Sequence, residues 1–396
     1  MAHIIPMLQA FLERIEVSIY RFFHRHFSGK YWDWKFSAAL LVIIWLASFP
    51  SYQYFISPEP SVAENWKALE MQFQQPFKTP VSDPDQHFVQ ARFRILLPVI
   101  SSYLGISPFF WILVLPLAGL VFIRQLIAGF YSLTKSKKIS ALIATGLAST
   151  YLVRAFTTDV MGYFDGYAYL LILLALFSRS SFAVFITCFA AFFVDERSIL
   201  ASPLIVFFIW ITRESNLQLD QRLLRLEKPI LPIFGAYALS LLLRYFISMQ
   251  TGFGSFLPDS DLVGFQVIQG NYQVMPLLWL SGIGFFWISL CIPALYLFFE
   301  GRLLPGFLYL LYLVSMFALV LTVLDVTRSI TYLFPGIMVG HLLVFKMESL
   351  TFFKRYLLSL TISSFLLPPL FAIGTTIVWQ GPVFPKILKI MNQLSL

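Results

Sequence analysis

The sequence predicts an all-α, polytopic integral membrane protein with about eleven transmembrane helices. Three observations carry that expectation. Of 396 residues, 58% are hydrophobic and only 12% charged, where a soluble domain carries about 25% charged residues. Apolar stretches long enough to cross a bilayer recur from Phe36 onward. They are rich in Leu and Phe and lack the alternation of a half-buried strand, so their backbone amides, deprived of water, must close onto their own segments as helices.

The first element is amphipathic. In residues 1–35 the apolar Leu8, Phe11, Leu12, Ile15, Ile19, Phe22 and Phe23 recur at helical spacing, with Arg14, Arg21, His24 and Arg25 on other faces. That pattern predicts a helix lying on the membrane surface, with a partner-binding helix as its competitor. Glu13, Glu16 and Asp33 interrupt any signal-peptide core, so this segment is expected to be cytoplasmic and retained.

Expected spans follow at 36–55, 108–130, 139–156, 164–177, 181–194, 198–211, 230–247, 275–299, 303–324, 329–345 and 356–379, forming one transmembrane domain over 36–380 with a short tail at 381–396. The three from 164 to 211 are short for a hydrocarbon core of about 30 Å. Residues 95–106 are apolar but too few to cross, which predicts an interfacial or re-entrant helix after the long loop 56–94.

Lys and Arg in the short loops set the orientation. With the N-terminus inside, Lys135, Lys137, Lys138, Arg179, Arg213, Arg222, Arg225, Lys228, Arg302, Lys346, Lys354 and Arg355 all fall on the cytoplasmic side. The tail, with Lys386 and Lys389, lands outside and is the weakest point of this count. Localisation in the inner (cell) membrane, with the functional face directed outside or to the periplasm, is therefore expected. The net charge of +8 belongs to this topology. Basic residues are scattered between apolar segments, not gathered in a stripe, so no nucleic acid partner is expected. Cys188 and Cys291 sit within apolar runs as small hydrophobes, predicting no disulfide framework.

The same map puts Asp83, Asp85, Asp159, Asp165, Asp195, Glu196 and Asp325 on the outer side, together with Arg92, Arg94, Arg154, Arg197, Arg244 and Arg328. Arginines there run against the positive-inside bias, which points to a requirement for them. Asp83-Pro84-Asp85-Gln86-His87 offers two carboxylates and an imidazole for general-base work or for a divalent cation, although a solvated proline turn would look the same. Beyond that cation no cofactor is indicated. Arg92-Phe93-Arg94 stands before the short apolar segment, where guanidinium forks suit phosphate as well as ordinary headgroup anchoring. Asp195-Glu196-Arg197 crowds three charges into a tight turn that must reach water or a polar cavity, since each would cost roughly 2.5–3.5 kcal/mol at mid-membrane. Asp325 and Arg328, three apart, share a helical face and can pair. Asp159 and Asp165 bracket Met161-Gly162-Tyr163-Phe164, a wet loop mouth. Gly-rich phosphate loops, zincin motifs and nucleophile elbows are not found in the sequence.

A long first outer loop bearing the acids Asp83 and Asp85, an interfacial segment after it and further acids in outer loops resemble the C-type membrane glycosyltransferases. The resemblance implies transfer of a sugar from a polyprenyl-phosphate donor, drawn from the membrane lipid, to a glycan, lipid or protein acceptor. By the family's habit Asp85 or Asp83 would be the catalytic base. Arg92, Arg94, Arg197 and Arg328 would hold the phosphate, with Asp159, Asp165, Asp195, Glu196 and Asp325 lining the substrate site. A polysaccharide polymerase or ligase acting on lipid-linked glycans is the nearest alternative. A transporter or a non-catalytic scaffold are the readings from other classes.

Overall fold

The structure, a computed structural model, describes residues 14, 17–18, 21–22, 24–48, 60–78, 93–159, 161–213, 230–251, 275–323, 325–366, 370–373 and 376–379. Asp83, Asp85, His87 and Arg92 lie outside them. So does most of the expected surface helix, of which Arg14, Arg21, Phe22 and Arg25 are helical and exposed.

Helices dominate, in the order α1 (Trp32–Ala47), α2 (Pro60–Gln74), α3 (Leu96–Leu104), α4 (Pro108–Thr134), α5 (Lys137–Ala148), α6 (Tyr151–Thr158), α7 (Asp165–Phe177), α8 (Ser181–Val194), α9 (Ser202–Arg213), α10 (Ile230–Thr251), α11 (Met275–Ile283), α12 (Trp287–Phe299), α13 (Leu303–Leu321), α14 (Val326–Thr331), α15 (Phe334–Met347) and α16 (Leu350–Leu366). Five helical stretches are long and apolar enough to cross a membrane: α4, α10, Leu280–Phe299, α13 and Val326–Met347. A sixth is added if α5 and α6 count as one bent span, while α7 and α8 are shorter apolar helices. The described helices thus include five or six able to cross a membrane, fewer than the eleven expected.

Short helices account for most of the difference, since α1, α7, α8, α9 and α16 have 16, 13, 14, 12 and 17 residues, and local breaks reshape others. The expected span 139–156 bends by 64° between α5 and α6. There the Ser149 and Thr150 hydroxyls donate to the Gly146 and Leu147 carbonyls, and the Thr150 hydroxyl accepts from the Leu152 amide. These hydroxyls offer the backbone partners outside the regular helical ladder. The span at 275–299 is interrupted by a 3-10 turn, Gly284–Phe286, where Gly284 takes φ +56°. That conformation costs glycine nothing. The expected single helix 356–379 ends at Leu366, and two short strands follow, β1 (Leu370–Ile373) and β2 (Thr376–Trp379). They pair antiparallel with Leu370 opposite Trp379. In the sequence Pro368-Pro369 removes two amide donors and disfavours helix at the preceding residue, so the correction has a local cause. Residues 95–106 do give a short helix, α3, whose end is marked by Gly105 at φ +67°.

The continuous stretch Val326–Met347 is the buried axis of the bundle, with most of its side chains inaccessible from Val326 to Val344. Gly336 and Gly340, four apart, face α12. A Cβ at Gly340 would stand 2.0 Å from the Ser289 carbonyl oxygen, so only glycine lets the two backbones approach this closely. Around that axis α7 packs on α8, α8 on α10, α9 on α15 and α4 on α5. Phe122, Phe130, Phe156, Phe192, Phe208, Phe286 and Phe334 fill the interior.

Candidate functional site

Acidic and basic side chains from four separate segments meet at one end of the bundle. Arg94 comes from the approach to α3, Asp165 from the first turn of α7, Asp195, Glu196 and Arg197 from the turn between α8 and α9, and Asp325 and Arg328 from the start of α14. The turn is built locally. Asp195 caps the 3-10 segment Glu196–Ala201 by accepting from the Arg197 amide at 2.9 Å, which brings the Arg197 side chain back over its own cap.

Arg94 holds Glu196 with both fork positions, Nε to Oε2 at 2.9 Å and Nη2 to Oε1 at 2.7 Å. Arg197 donates to Asp195 through Nε at 3.0 Å and Nη2 at 2.5 Å, and reaches Asp165 Oδ1 at 3.0 Å. Arg328 grips Asp165 the same way, Nη2 to Oδ1 at 2.7 Å and Nε to Oδ2, and donates to Asp325 Oδ2 at 2.7 Å. Longer approaches close the mesh: Arg94 to Asp195 at 3.8 Å, Arg197 to Asp325 at 3.8 Å and Arg328 to Asp195 at 3.6 Å. The guanidinium of Arg328 also lies 3.7 Å from the centre of the Tyr163 ring, and its carbonyl accepts from the Tyr169 hydroxyl.

Exposure is graded across the cluster. Asp165, Asp195 and Arg328 are sealed, Arg197 nearly so, whereas Arg94, Asp325 and Glu196 expose 17%, 22% and 29% of their side chains. The last three therefore form its accessible rim. Burial alone would lift the Asp195 carboxyl, but the guanidiniums of Arg197 and Arg94 outweigh it and hold that group well below the usual carboxylate range. Burial works on Glu196 in the same upward sense, and Arg94 overrides it.

Two polar atoms at the cluster have no hydrogen-bond partner: Asp325 Oδ1 and the Tyr332 hydroxyl, both buried. The Tyr332 ring lies 5.7 Å from the Arg197 guanidinium and packs against Tyr169. Nearby, Arg244 of α10 donates to the Phe192 carbonyl at 2.5 Å and sits between the rings of Phe93 and Phe193. It caps the end of α8 and joins no ion pair with the acids among the described residues.

Of the residues singled out in the sequence, Arg94, Asp165, Asp195, Glu196, Arg197, Asp325 and Arg328 come together. Asp159 makes no ion pair with them among the described residues; its carboxylate accepts the Tyr163 and Phe164 amides at 3.1 and 2.6 Å, fixing the loop that enters α7. Burial raises its carboxyl all the same. Arg154 is buried and donates to the Thr150 carbonyl within its own helix region. The arginines assigned to a phosphate are engaged by carboxylates, so an anion would have to exchange with one of them. Among the described residues no group of three or more His, Cys, Asp or Glu side chains is arranged to hold a metal ion. The unpartnered Tyr332 hydroxyl was not singled out in the sequence, where tyrosine is common. Its signal, a tyrosine one helical turn beyond an Asp-x-x-Arg pair, is weak taken alone. No protein-family model matches the chain, and no curated protein or solved structure gives a match either.

Proposed function

We propose that the chain is a membrane glycosyltransferase that moves a sugar from a polyprenyl-phosphate donor to an acceptor at the outer face of the membrane. The topology that goes with this reading has about eleven membrane segments, several of them broken or short, with a cytoplasmic N-terminus. One observation carries it: seven ionisable side chains converge in a single, mostly buried cluster at one end of an apolar bundle. Charges in a membrane domain are expensive to desolvate, and buried ion pairs are often no more stabilising than apolar packing of the same volume. A cluster kept at that cost is better accounted for by chemistry than by stability.

Its composition suits transfer from a phosphate-linked donor. Guanidiniums supply a planar fork for the departing phosphate in a site shielded from water. Arg94 is the arginine best placed to receive that phosphate, because its partner Glu196 is the most exposed acid of the cluster and the easiest to displace. Asp85 and Asp83 remain the candidate bases by their place in the long first loop.

The test is transfer of labelled sugar from polyprenyl phosphate by the purified chain, with Arg94→Lys as the diagnostic variant. Lysine keeps the charge and loses the fork, so donor binding should weaken while folding persists. Failure of every polyprenyl-phosphate donor to support turnover by the native protein would refute the reading. A transporter is the second reading, favoured by the interruptions at Ser149-Thr150 and at Gly284, since discontinuous helices line many transport sites. Uptake into liposomes without turnover would select it.

A further inference from the structure

We infer that Asp325 Oδ1 and the Tyr332 hydroxyl form a seat for a neutral, multi-hydroxyl ligand, a sugar, at the rim of the ion-pair cluster. The inference rests on the transferase reading only for which sugar occupies the seat. Its own foundation is that both atoms are buried and lack a hydrogen-bond partner beside the paired guanidiniums of Arg197 and Arg328. A buried polar group left unpaired costs roughly 1–3 kcal/mol, so each of the two marks where a partner is missing.

The chemistry of the missing partner follows from the charges around it. A carboxylate oxygen accepts, so the ligand must donate a hydrogen bond to Asp325 Oδ1. Asp325 is already neutralised: its other oxygen receives Arg328 Nη1 at 2.7 Å and has Arg197 Nη1 at 3.8 Å. A second cation would meet two guanidiniums, and a phosphate would meet a carboxylate. A hydroxyl meets neither repulsion. Tyr332, whose ring lies beside Arg197, adds a group that can both donate and accept.

Spacing argues for several hydroxyls on one ligand. Asp325 and Tyr332 stand seven residues apart at the two ends of α14, hence on one helical face with about 10 Å of rise between them. One hydroxyl cannot serve both groups, whereas a sugar with its ring of hydroxyls can. Access is from the rim, where 22% of the Asp325 side chain is exposed.

Tyr332→Phe is the decisive variant, because it deletes only the unpartnered oxygen and leaves the ring packing intact. In the purified full chain its melting temperature without ligand should be unchanged or raised. Its affinity for free hexoses, or its preference for polyprenyl-phosphate hexose over bare polyprenyl phosphate, should fall by roughly three- to tenfold, the worth of one neutral hydrogen bond. Asp325→Asn should weaken the same binding. Loss confined to the free hexose places the acceptor in the seat, and loss confined to the lipid-linked hexose places the donor there. Tyr332→Phe binding hexose as the native chain does would overturn the inference, as would a native chain indifferent to every hexose in both forms. Hexose binding lost in Tyr332→Phe without any sugar transfer would sink the transferase reading alone. Transfer and binding that ignore Tyr332→Phe would sink this seat alone.

Discussion

Asp165 answers to two guanidiniums at once, Arg328 in a two-point grip and Arg197 at 3.0 Å, with only 1% of its side chain exposed. Removing such a partner strands a charge, and breaking a buried pair from one side typically costs about 3–5 kcal/mol. Asp165→Asn and Arg328→Gln should therefore each lower stability by that order, read as a fall in melting temperature in detergent. Asp165→Asn/Arg328→Gln should lose clearly less than the sum, because the second change removes the charge that the first left unpaired. Additive losses would show that the two side chains do not act as a pair. Part of this cluster was legible in the sequence. Asp325 and Arg328 stand three apart and do pair, and the crowding of Asp195, Glu196 and Arg197 announced a polar surround. The grip of Arg94 on Glu196, 102 positions away, has no local signature. Nor has the separation of Asp165, which joins the cluster, from Asp159, which caps a loop: six residues apart and of one type, they differ only in where the chain turns between them.

At the scale of elements, close helix contact is where sequence and packing meet most directly. The Gly336-x-x-x-Gly340 spacing was present to be read as a small-residue contact face, but an apolar stretch containing two glycines also reads as any other span. What separates the cases is the partner, and α12 lies far from α15 in the chain. Gly340→Ala should be destabilising by about 1–3 kcal/mol or more, because its Cβ would meet the Ser289 carbonyl, which is backbone and cannot rotate away. Gly235→Ala provides the contrast: its Cβ would meet only the Phe185 ring at 3.6 Å, an ordinary contact, on a helix where alanine is favoured. Its melting temperature should hold or rise. Equal losses in the two variants would remove the close approach of α12 and α15 as the cause. Helix breaks were the least legible feature. Hydroxyls at Ser149 and Thr150 can bond within a straight helix or end one, and the sequence pattern is the same in both cases.

Across the whole molecule, α4 ties the chemistry to the topology. Near its start the Trp111 carbonyl accepts from Tyr167, two residues past Asp165, so this end lies with the ion-pair cluster. Farther along, Arg124 binds Asp33 at 3.1 Å, and the helix ends at its cap Lys135, just before Lys137 and Lys138 open α5. From Trp111 to Lys135 the rise is about 36 Å, a full bilayer thickness. The lysine-rich end and the acidic end are therefore opposite faces of the bundle, and whichever orientation one takes fixes the other. Helix α2 belongs with the acidic end, because Asn65 donates to the Met161 carbonyl at 2.6 Å in the loop that leads into α7. Glu64 and Lys138, both exposed, thus report on opposite faces. The chain has two cysteines, Cys188 buried and Cys291 half-buried, and replacing both by alanine gives a clean background. In intact cells an impermeant thiol reagent should label Glu64→Cys and spare Lys138→Cys until the membrane is opened, since lysine-rich loops stay on the cytoplasmic side. Labelling of Lys138→Cys from outside, with Glu64→Cys protected, would invert the bundle. The ion-pair cluster would then face the cytoplasm, where an outer-face sugar acceptor cannot reach it. Labelling of both from outside would contradict the bilayer-length rise of α4 and so the placement of the two ends on opposite faces.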